Sequence, residues 1–558
     1  MDASFGTVFE GVAARLPHAV AISEPERDYT FAEFDDRASR LAAALEAAGV
    51  GPGTTVACYL YNGAPYLETV FAAFKIGAIP VNANYRYTAD ELSSLLDDAD
   101  STALVFSGEL AGNVAHAATN VPTLKLLVRV GDAPDNEPGP EAPDYGQLLA
   151  TTDPRPNTPR PGSDQLFMYT GGTTGKPKGV IWQHADLLHS LAVPIFRPLG
   201  LAGLPRSLDE AIEVAVQAHD DDAAPAIMPV VPLMHGTGFF NTLGALLVGG
   251  RAITTRPGRL DPRHVWELAA AQRAGTVIVA GNAVCRPLVD ELIRAEKAGS
   301  PHDLSSLRAV LSSGTALSDR LKQALHERAR ITITDAIASS EGGPFAFAVT
   351  TSVDDLPARF FPVPATEVIS KDDRILEPGD PETGVLAYSG PMPLGYYKDS
   401  AKTDTTFRTV DGVRYAIPGD LAQLGSDGSI SFLGRGSGVI NSGGEKIHPQ
   451  EVENVLFAHP DVIDAVVVGA PDETWGERVS AIVATARGYP TFELELQDWV
   501  RTSLAGYKVP RTIVLVDQLP RTPTGKLEMA WARDIVSRRT GGPRAAGADD
   551  SSSGTERP

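Results

Sequence analysis

The chain has 558 residues, with 48 Lys and Arg against 70 Asp and Glu, a formal net charge of −22. That length exceeds a single hydrophobic core, which stops growing at roughly 250–300 residues, so at least two domains are expected. The acidic balance argues against nonspecific nucleic-acid binding, which needs Lys and Arg on phosphates. The two cysteines, Cys58 and Cys285, exclude a disulfide framework and a cysteine-based zinc site, and their apolar surroundings predict burial.

The N-terminus carries Asp2 and Glu10 and lacks a basic stretch ahead of an apolar run, so no signal peptide is expected. No apolar run reaches the roughly 18 residues that span a bilayer. The best candidate, residues 239–248, is short and interrupted by Gly244. A cytoplasmic protein is expected.

In chain order, Tyr29-Thr30-Phe31 leads into a helical period over 32–42. Strands are predicted over 55–60, 102–106, 166–169, 179–182, 276–280, 309–311 and 331–334. The β-α-β-α rhythm predicts parallel, doubly wound sheets with helices on both faces. Residues 133–143 and the run Asp220-Asp221-Asp222, which interrupts a helical pattern, read as solvated surface. The texture changes at Gly434-Arg435-Gly436-Ser437-Gly438. A compact unit follows, with helices over 449–458 and 492–504 and strands over 465–468, 479–483 and 512–516. Its Gly-rich entry would let it move as a body. Residues 541–558 carry almost no large apolar groups and read as a disordered tail.

The most informative stretch is Tyr169-Thr170-Gly171-Gly172-Thr173-Thr174-Gly175-Lys176-Pro177-Lys178-Gly179. Small residues let a backbone approach a ligand and turn its N–H groups toward an anion. Threonine hydroxyls and Lys178 add donors and charge, which suits phosphate. It is not a Walker A loop: Pro177 stands where a magnesium-binding hydroxyl is needed, and a strand follows instead of a helix.

On this stretch, and on residues 333–341, 412–420, 440–446 and 505–511, the chain resembles the adenylate-forming superfamily. That superfamily includes acyl-CoA synthetases, peptide-synthetase adenylation domains and beetle luciferases. The resemblance runs from about Tyr29 to Lys526. More narrowly, it is to actinobacterial acyl-CoA synthetases that activate fatty acids and steroid side chains. It implies an α/β fold in which a large region of doubly wound sheets plus a β-barrel-like part (1–434) precedes a small mobile α+β domain (435–540). It implies ATP, Mg²⁺ and coenzyme A as the small molecules used with a carboxylic acid. A carboxylate attacks the α-phosphate of ATP to give an acyl-adenylate and pyrophosphate, and a thiol then displaces AMP.

The resemblance implies a role for each matching residue. Lys526 matches the lysine that bridges the carboxylate and α-phosphate oxygens. Glu341 matches the Mg²⁺-binding glutamate, with Ser340 in the usual threonine's place. Thr170, Gly171, Gly172, Thr173, Thr174, Gly175 and Lys178 hold phosphate, Thr170 also joining the catalytic group. Ser313, Gly314, Thr315, Ala336 and Ile337 lie along the adenine, Ile337 replacing the aromatic common in relatives. Asp420 and Arg435 reach the ribose. Gly443, Gly444 and Glu445 line the pantetheine tunnel after the small domain rotates. The hinge departs from the pattern, with Ser437 and Asn441 where Asp or Lys is usual. His235 falls near the acyl pocket, and as a lone histidine it is equally compatible with a structural role. Residues 239–248 and 281–283 are expected to help line that pocket, and His184 to order the loop. Transfer to a carrier-protein thiol, and a noncatalytic nucleotide-binding relative, are the competing readings. Neither the particular acid nor the oligomeric state is written in these motifs.

Overall fold

The computed structural model describes residues 2–134, 139–170, 177–201, 203–442, 445–472, 474–486, 491–522, 525–527 and 529–540. The loop residues 171–176, Gly443-Gly444 and the tail 541–558 therefore lie outside the described residues, as do Pro523 and Thr524.

Local signals set the element boundaries. Thr30 and Glu33 form a reciprocal cap at the start of helix Phe31–Ala47, and Thr88 and Glu91 do the same for Ala89–Asp98. Helix Leu208–Asp220 ends at the acidic run, with Asp222 in the left-handed region at φ 54°, so that run terminates a helix and does not interrupt one. Near the two ends of 133–143, Ala133 and Ala142 pack on a core cluster and are only partly solvated.

Among the described residues the strands form four sheets. One has nine strands in the order Phe361–Pro362, Gly343–Thr350, Thr332–Ser339, Ala309–Ser313, Thr276–Val279, Ala226–Pro229, Arg251–Ile253, Val20–Ser23, Asp28–Thr30. Its centre is parallel, with Thr276 beside Ala309 and Ala309 beside Thr332, and its edges are antiparallel. A seven-stranded sheet is likewise parallel through Ile79–Asn82, Thr55–Tyr59, Ser101–Ser107 and Leu126–Val130. Thr55–Tyr59 is buried at every position, as a strand covered on both faces must be. A six-stranded antiparallel sheet, spanning Thr366 to Arg435, stands where the barrel-like part is expected.

The chain then makes a single turn at Gly436–Gly438 and enters the fourth sheet. There Asp464–Asp472 and Gly476–Ala484 form a long antiparallel pair, and Thr512–Val516 adds in parallel. Helices Pro449–Phe457 and Phe492–Ser503 close one face around Val452, Leu456, Phe492 and Leu496. This separate core bears out the small α+β unit read from the sequence. No helix among the described residues is long and apolar enough to cross a membrane.

His184 sits inside the large core, 1% exposed, against the rings of Phe5 and Phe74. Its Nδ1 accepts the Phe5 N–H at 3.3 Å, which ties the first helix to helix His184–Ser190. Burial pushes its pKa down to about 3. The unfolded chain, titrating near 6.5, takes up the proton first, so stability is full above pH 6.5 and falls as pH drops toward 3. The limiting slope is about 1.4 kcal/mol per pH unit. His184→Gln is expected to flatten this acid limb, read as the thermal midpoint between pH 7 and pH 4.5.

Candidate active site

A cleft of about 3110 Å³ runs between the large part and the small C-terminal unit. Parallel strands end at its floor, where side chains can converge on a ligand. Ser313 pairs with Ala336 across two of these strands, and the Ser313 hydroxyl donates to the Ala336 carbonyl at 3.1 Å. Gly314 turns the chain at φ 91°, and the Thr315 hydroxyl donates to the Ala280 carbonyl at 3.3 Å. Ile337, half-buried, adds an aliphatic wall.

The strands on either side of the Gly- and Thr-rich stretch pair with each other. Strands Gln165–Thr170 and Lys178–Gln183 are antiparallel, with Thr170 opposite Lys178, and both of these residues line the cleft. The Lys178 ammonium is bonded to the Asp399 carboxylate, which holds Asp399 below the usual carboxylate range. Lys178 is therefore neutralised in this arrangement, a contact that sequence reasoning did not foresee.

Glu341 is buried, and one of its carboxylate oxygens accepts the Tyr396 hydroxyl at 2.8 Å. Tyr396 reaches it because Gly395–Tyr396 adds as a short strand beside Val180 and Ile181. The neighbouring Ser340 carbonyl is fixed by the Trp182 indole N–H at 2.9 Å. Asp420 is buried and accepts from Arg435 Nε at 3.1 Å, the two sitting opposite each other on paired strands. Burial raises the Asp420 carboxyl, with Arg435 pulling the other way.

Lys526 enters from the small unit. Its tight turn is closed by the Gly525 N–H to the Thr522 carbonyl at 2.8 Å and the Thr522 N–H to the Lys526 carbonyl at 2.7 Å. The residue is exposed to the open space of the cleft, and the walls around it remove only part of its hydration. That desolvation, aided by Arg435, lowers its ammonium pKa, while Glu341 and Asp420 oppose the shift. His235, just ahead of helix Gly236–Leu247, is pushed down to about 3 by burial and by Lys526. It is a neutral imidazole at working pH and so acts as a polar wall or hydrogen-bond partner, not as a cation.

Gly525 is one point of contact between the two parts. Its φ is 75°, and a Cβ there would lie 2.9 Å from Thr315 Oγ1 and 3.0 Å from the Ala280 carbonyl oxygen. Both the backbone conformation and the close approach require glycine. Gly525→Ala, which leaves the ammonium in place, is expected to lower turnover about tenfold or more by lifting Lys526 off its seat. Comparison of initial rates at saturating substrates checks this.

The apolar end of the cleft is bounded by Trp182, Leu187, Leu191, Pro194 and Phe240. Residues 239–248 are expected to help line it, and Phe240 and Asn241 do. The lining comes from one face of helix Gly236–Leu247, through Gly236, Thr237, Phe240 and Asn241. The opposite face, with Phe239, Leu243, Leu246 and Leu247, belongs to the large core. From 281–283, Asn282 and Ala283 line the cleft and Gly281 is buried. Glu445 is exposed and does not line it.

Sequence reasoning also missed Asn82. Its side-chain amide donates to the carbonyls of Tyr169 (2.9 Å) and Met234 (2.7 Å) and accepts the Tyr169 N–H at 2.6 Å. It locks strand Gln165–Thr170 to the His235 segment. A buried amide ending the apolar run Ile79-Pro80-Val81 was the available signal.

Residues 9–397 match the family described as AMP-binding enzyme, and residues 451–526 match the AMP-binding enzyme C-terminal domain. The chain belongs to the AMP-binding enzyme family. It is 38% identical over 543 residues to a 3-oxocholest-4-en-26-oate–CoA ligase of Rhodococcus rhodochrous, covering 94% of each chain. It is also 38% identical to a medium/long-chain-fatty-acid–CoA/3-oxocholest-4-en-26-oate–CoA ligase of Mycolicibacterium smegmatis, covering 94% of this chain and 95% of the other. The fold matches that of an anthranilate CoA ligase solved with anthranoyl-AMP, with TM-score 0.81 and 22% identity, over 96% of this chain and 98% of that one.

Proposed function

We propose that the protein is an ATP-dependent, AMP-forming acid–CoA ligase acting on an apolar carboxylic acid, either a fatty acid or a steroid side-chain acid. The observation that carries this reading is the docked turn. It presents one ammonium, Lys526, into a cleft that already holds Glu341, Asp420 and Arg435. The first step joins an anionic nucleophile to a polyanion, so positive charge and positioning matter more than acid–base groups.

In this reading Lys526 bridges the acid and the α-phosphate, Asp420 accepts from the ribose hydroxyls, and Ser313 to Thr315 and Ile337 flank the base. The apolar end bounded by Trp182, Leu191 and Phe240 takes the acyl chain, with His235 at its entrance. Glu341 fits a hard divalent cation: its carboxylate is buried beside strand Lys178–Gln183 and oriented by Tyr396. Bound Mg²⁺ would neutralise phosphate charge there. The second step needs the small unit, residues 435–540, to turn about Gly436–Gly438 and bring Gly443-Gly444-Glu445 to the pantetheine arm. The position of Glu445 away from the cleft supports this order of events. The cytoplasm, which holds ATP and CoA, is the proposed location.

An acid-dependent exchange of pyrophosphate into ATP, assayed with medium-chain, long-chain and steroid acids, tests the reading. AMP and acyl-CoA are the expected products. Absence of exchange with every acid, or turnover of aromatic or very short acids alone, would overturn it.

A further inference from the structure

We infer that Arg521 is the positioning residue for Lys526. Its guanidinium splints the lysine's turn to the long hairpin of the small unit, an inference that rests on the ligase reading only for its kinetic consequence. Arg521 Nε and Nη2 hold the two oxygens of Asp464 at 2.5 and 2.8 Å. Nη1 donates to the carbonyl of Gly525, the residue before Lys526, at 2.7 Å. Nη2 also reaches the Ala465 carbonyl at 3.3 Å. The carboxylate is itself fixed, since Asp464 Oδ1 accepts the Ala465 N–H at 2.8 Å. Both side chains are mostly covered, 17% and 14% exposed, so this is a desolvated fork and not a loose surface pair.

The physical need for such a clamp is plain. Gly525 leaves the turn conformationally permissive, and Lys526 adds a long flexible stem. A charge serves a transition state only if its base is held to within about 0.5 Å. The guanidinium fixes the peptide that carries Lys526 to the start of the best-paired strand in the small unit. Every partner of the fork, Asp464, Ala465 and Gly525, lies within that unit. The clamp therefore travels with the unit as a whole, and the lysine arrives already positioned each time the unit docks. Lysine at position 521 could supply one contact but not the planar fork.

The test compares Arg521→Gln, Arg521→Lys and Asp464→Asn in the full chain. In Arg521→Gln the turnover of adenylation is expected to fall about tenfold to a hundredfold, with the ATP KM changed less than about threefold. Thioester formation from supplied acyl-adenylate stays near wild type. Arg521→Lys recovers part of the loss, and Asp464→Asn lowers adenylation less than Arg521→Gln does. Independently of any activity, amide hydrogen exchange over residues 521–527 is expected to quicken about tenfold in Arg521→Gln, with helix Phe492–Ser503 unchanged. Unchanged exchange over the turn would overturn the clamp, as would loss of both half-reactions together with faster exchange across that helix. A wild-type protein without acid-dependent exchange would overturn the ligase reading instead, and the hydrogen-exchange result would still decide the clamp.

Discussion

Lys526→Ala is expected to slow acyl-adenylate formation by about 10²–10³-fold, the usual cost of removing one preorganised charge-stabilising donor. The cleft explains both the size and the selectivity of the effect. Lys526 is the group that the docked turn delivers, and it faces Glu341, Asp420, Arg435 and His235 in a site where water is partly excluded. Acid-dependent pyrophosphate exchange reads the loss directly. CoA capture of a supplied acyl-adenylate is expected to stay within about threefold of wild type, because in the proposed reading the ammonium stabilises charge only in the first step. Equal loss in both steps would assign Lys526 to binding or folding. The same ammonium sets a pH limit. Desolvation lowers its pKa, so rising pH removes its proton earlier than from an ordinary lysine, and the alkaline limb of adenylation is expected below the usual lysine range.

The second large effect is on stability. Lys75, on helix Ala64–Ile76, has a side chain with no exposed surface. Its three N–H groups meet Glu10 at 2.8 Å, Asp35 at 2.6 Å and Asn157 at 2.9 Å, so the ammonium is fully satisfied. The partners come from helices Phe5–Arg15 and Phe31–Ala47 and from the segment ahead of strand Gln165–Thr170. Lys75→Ala strips the cation from two carboxylates and is expected to cost about 3–5 kcal/mol, read as a shift in the urea midpoint. Glu10 already has a raised pKa, chiefly from burial, and Lys75 is the largest influence opposing it. A Lys75→Met, Glu10→Leu pair is therefore expected to lose less than Lys75→Ala alone. If the pair loses more, the cost lies in packing and not in unpaired charge.

Much of the framework was legible in the sequence because it is local. Caps, short β-rich runs and the Gly-bounded turn at 436–438 each announce themselves within a few residues. The charged groups of the site were legible through short motifs, and Glu341, Asp420, Arg435 and Lys526 do meet in one cleft. What the sequence hid depends on partners far apart in the chain. Tyr396 reaches Glu341 across 55 positions, and Asp399 reaches Lys178 across 221. Periodicity marked residues 239–248 as apolar but could not say which face meets the core and which the cleft. Asn82 reads as the end of a strand until Tyr169 and Met234 are seen beside it.

The burial of both cysteines has a practical consequence. Cys58 and Cys285 are 1% and 2% exposed, and burial pushes both thiols up, Cys285 to about 12. Thiolate is the reactive form, so neither should compete for a labelling reagent near neutral pH. The native chain is thus a silent background for probe chemistry. Cysteines introduced at exposed Ser503 in the small unit and exposed Lys297 in the large part would carry a donor and acceptor dye pair without first removing any native residue. The distance between the dyes would then time the proposed rotation in single molecules as ATP, acid and CoA are added.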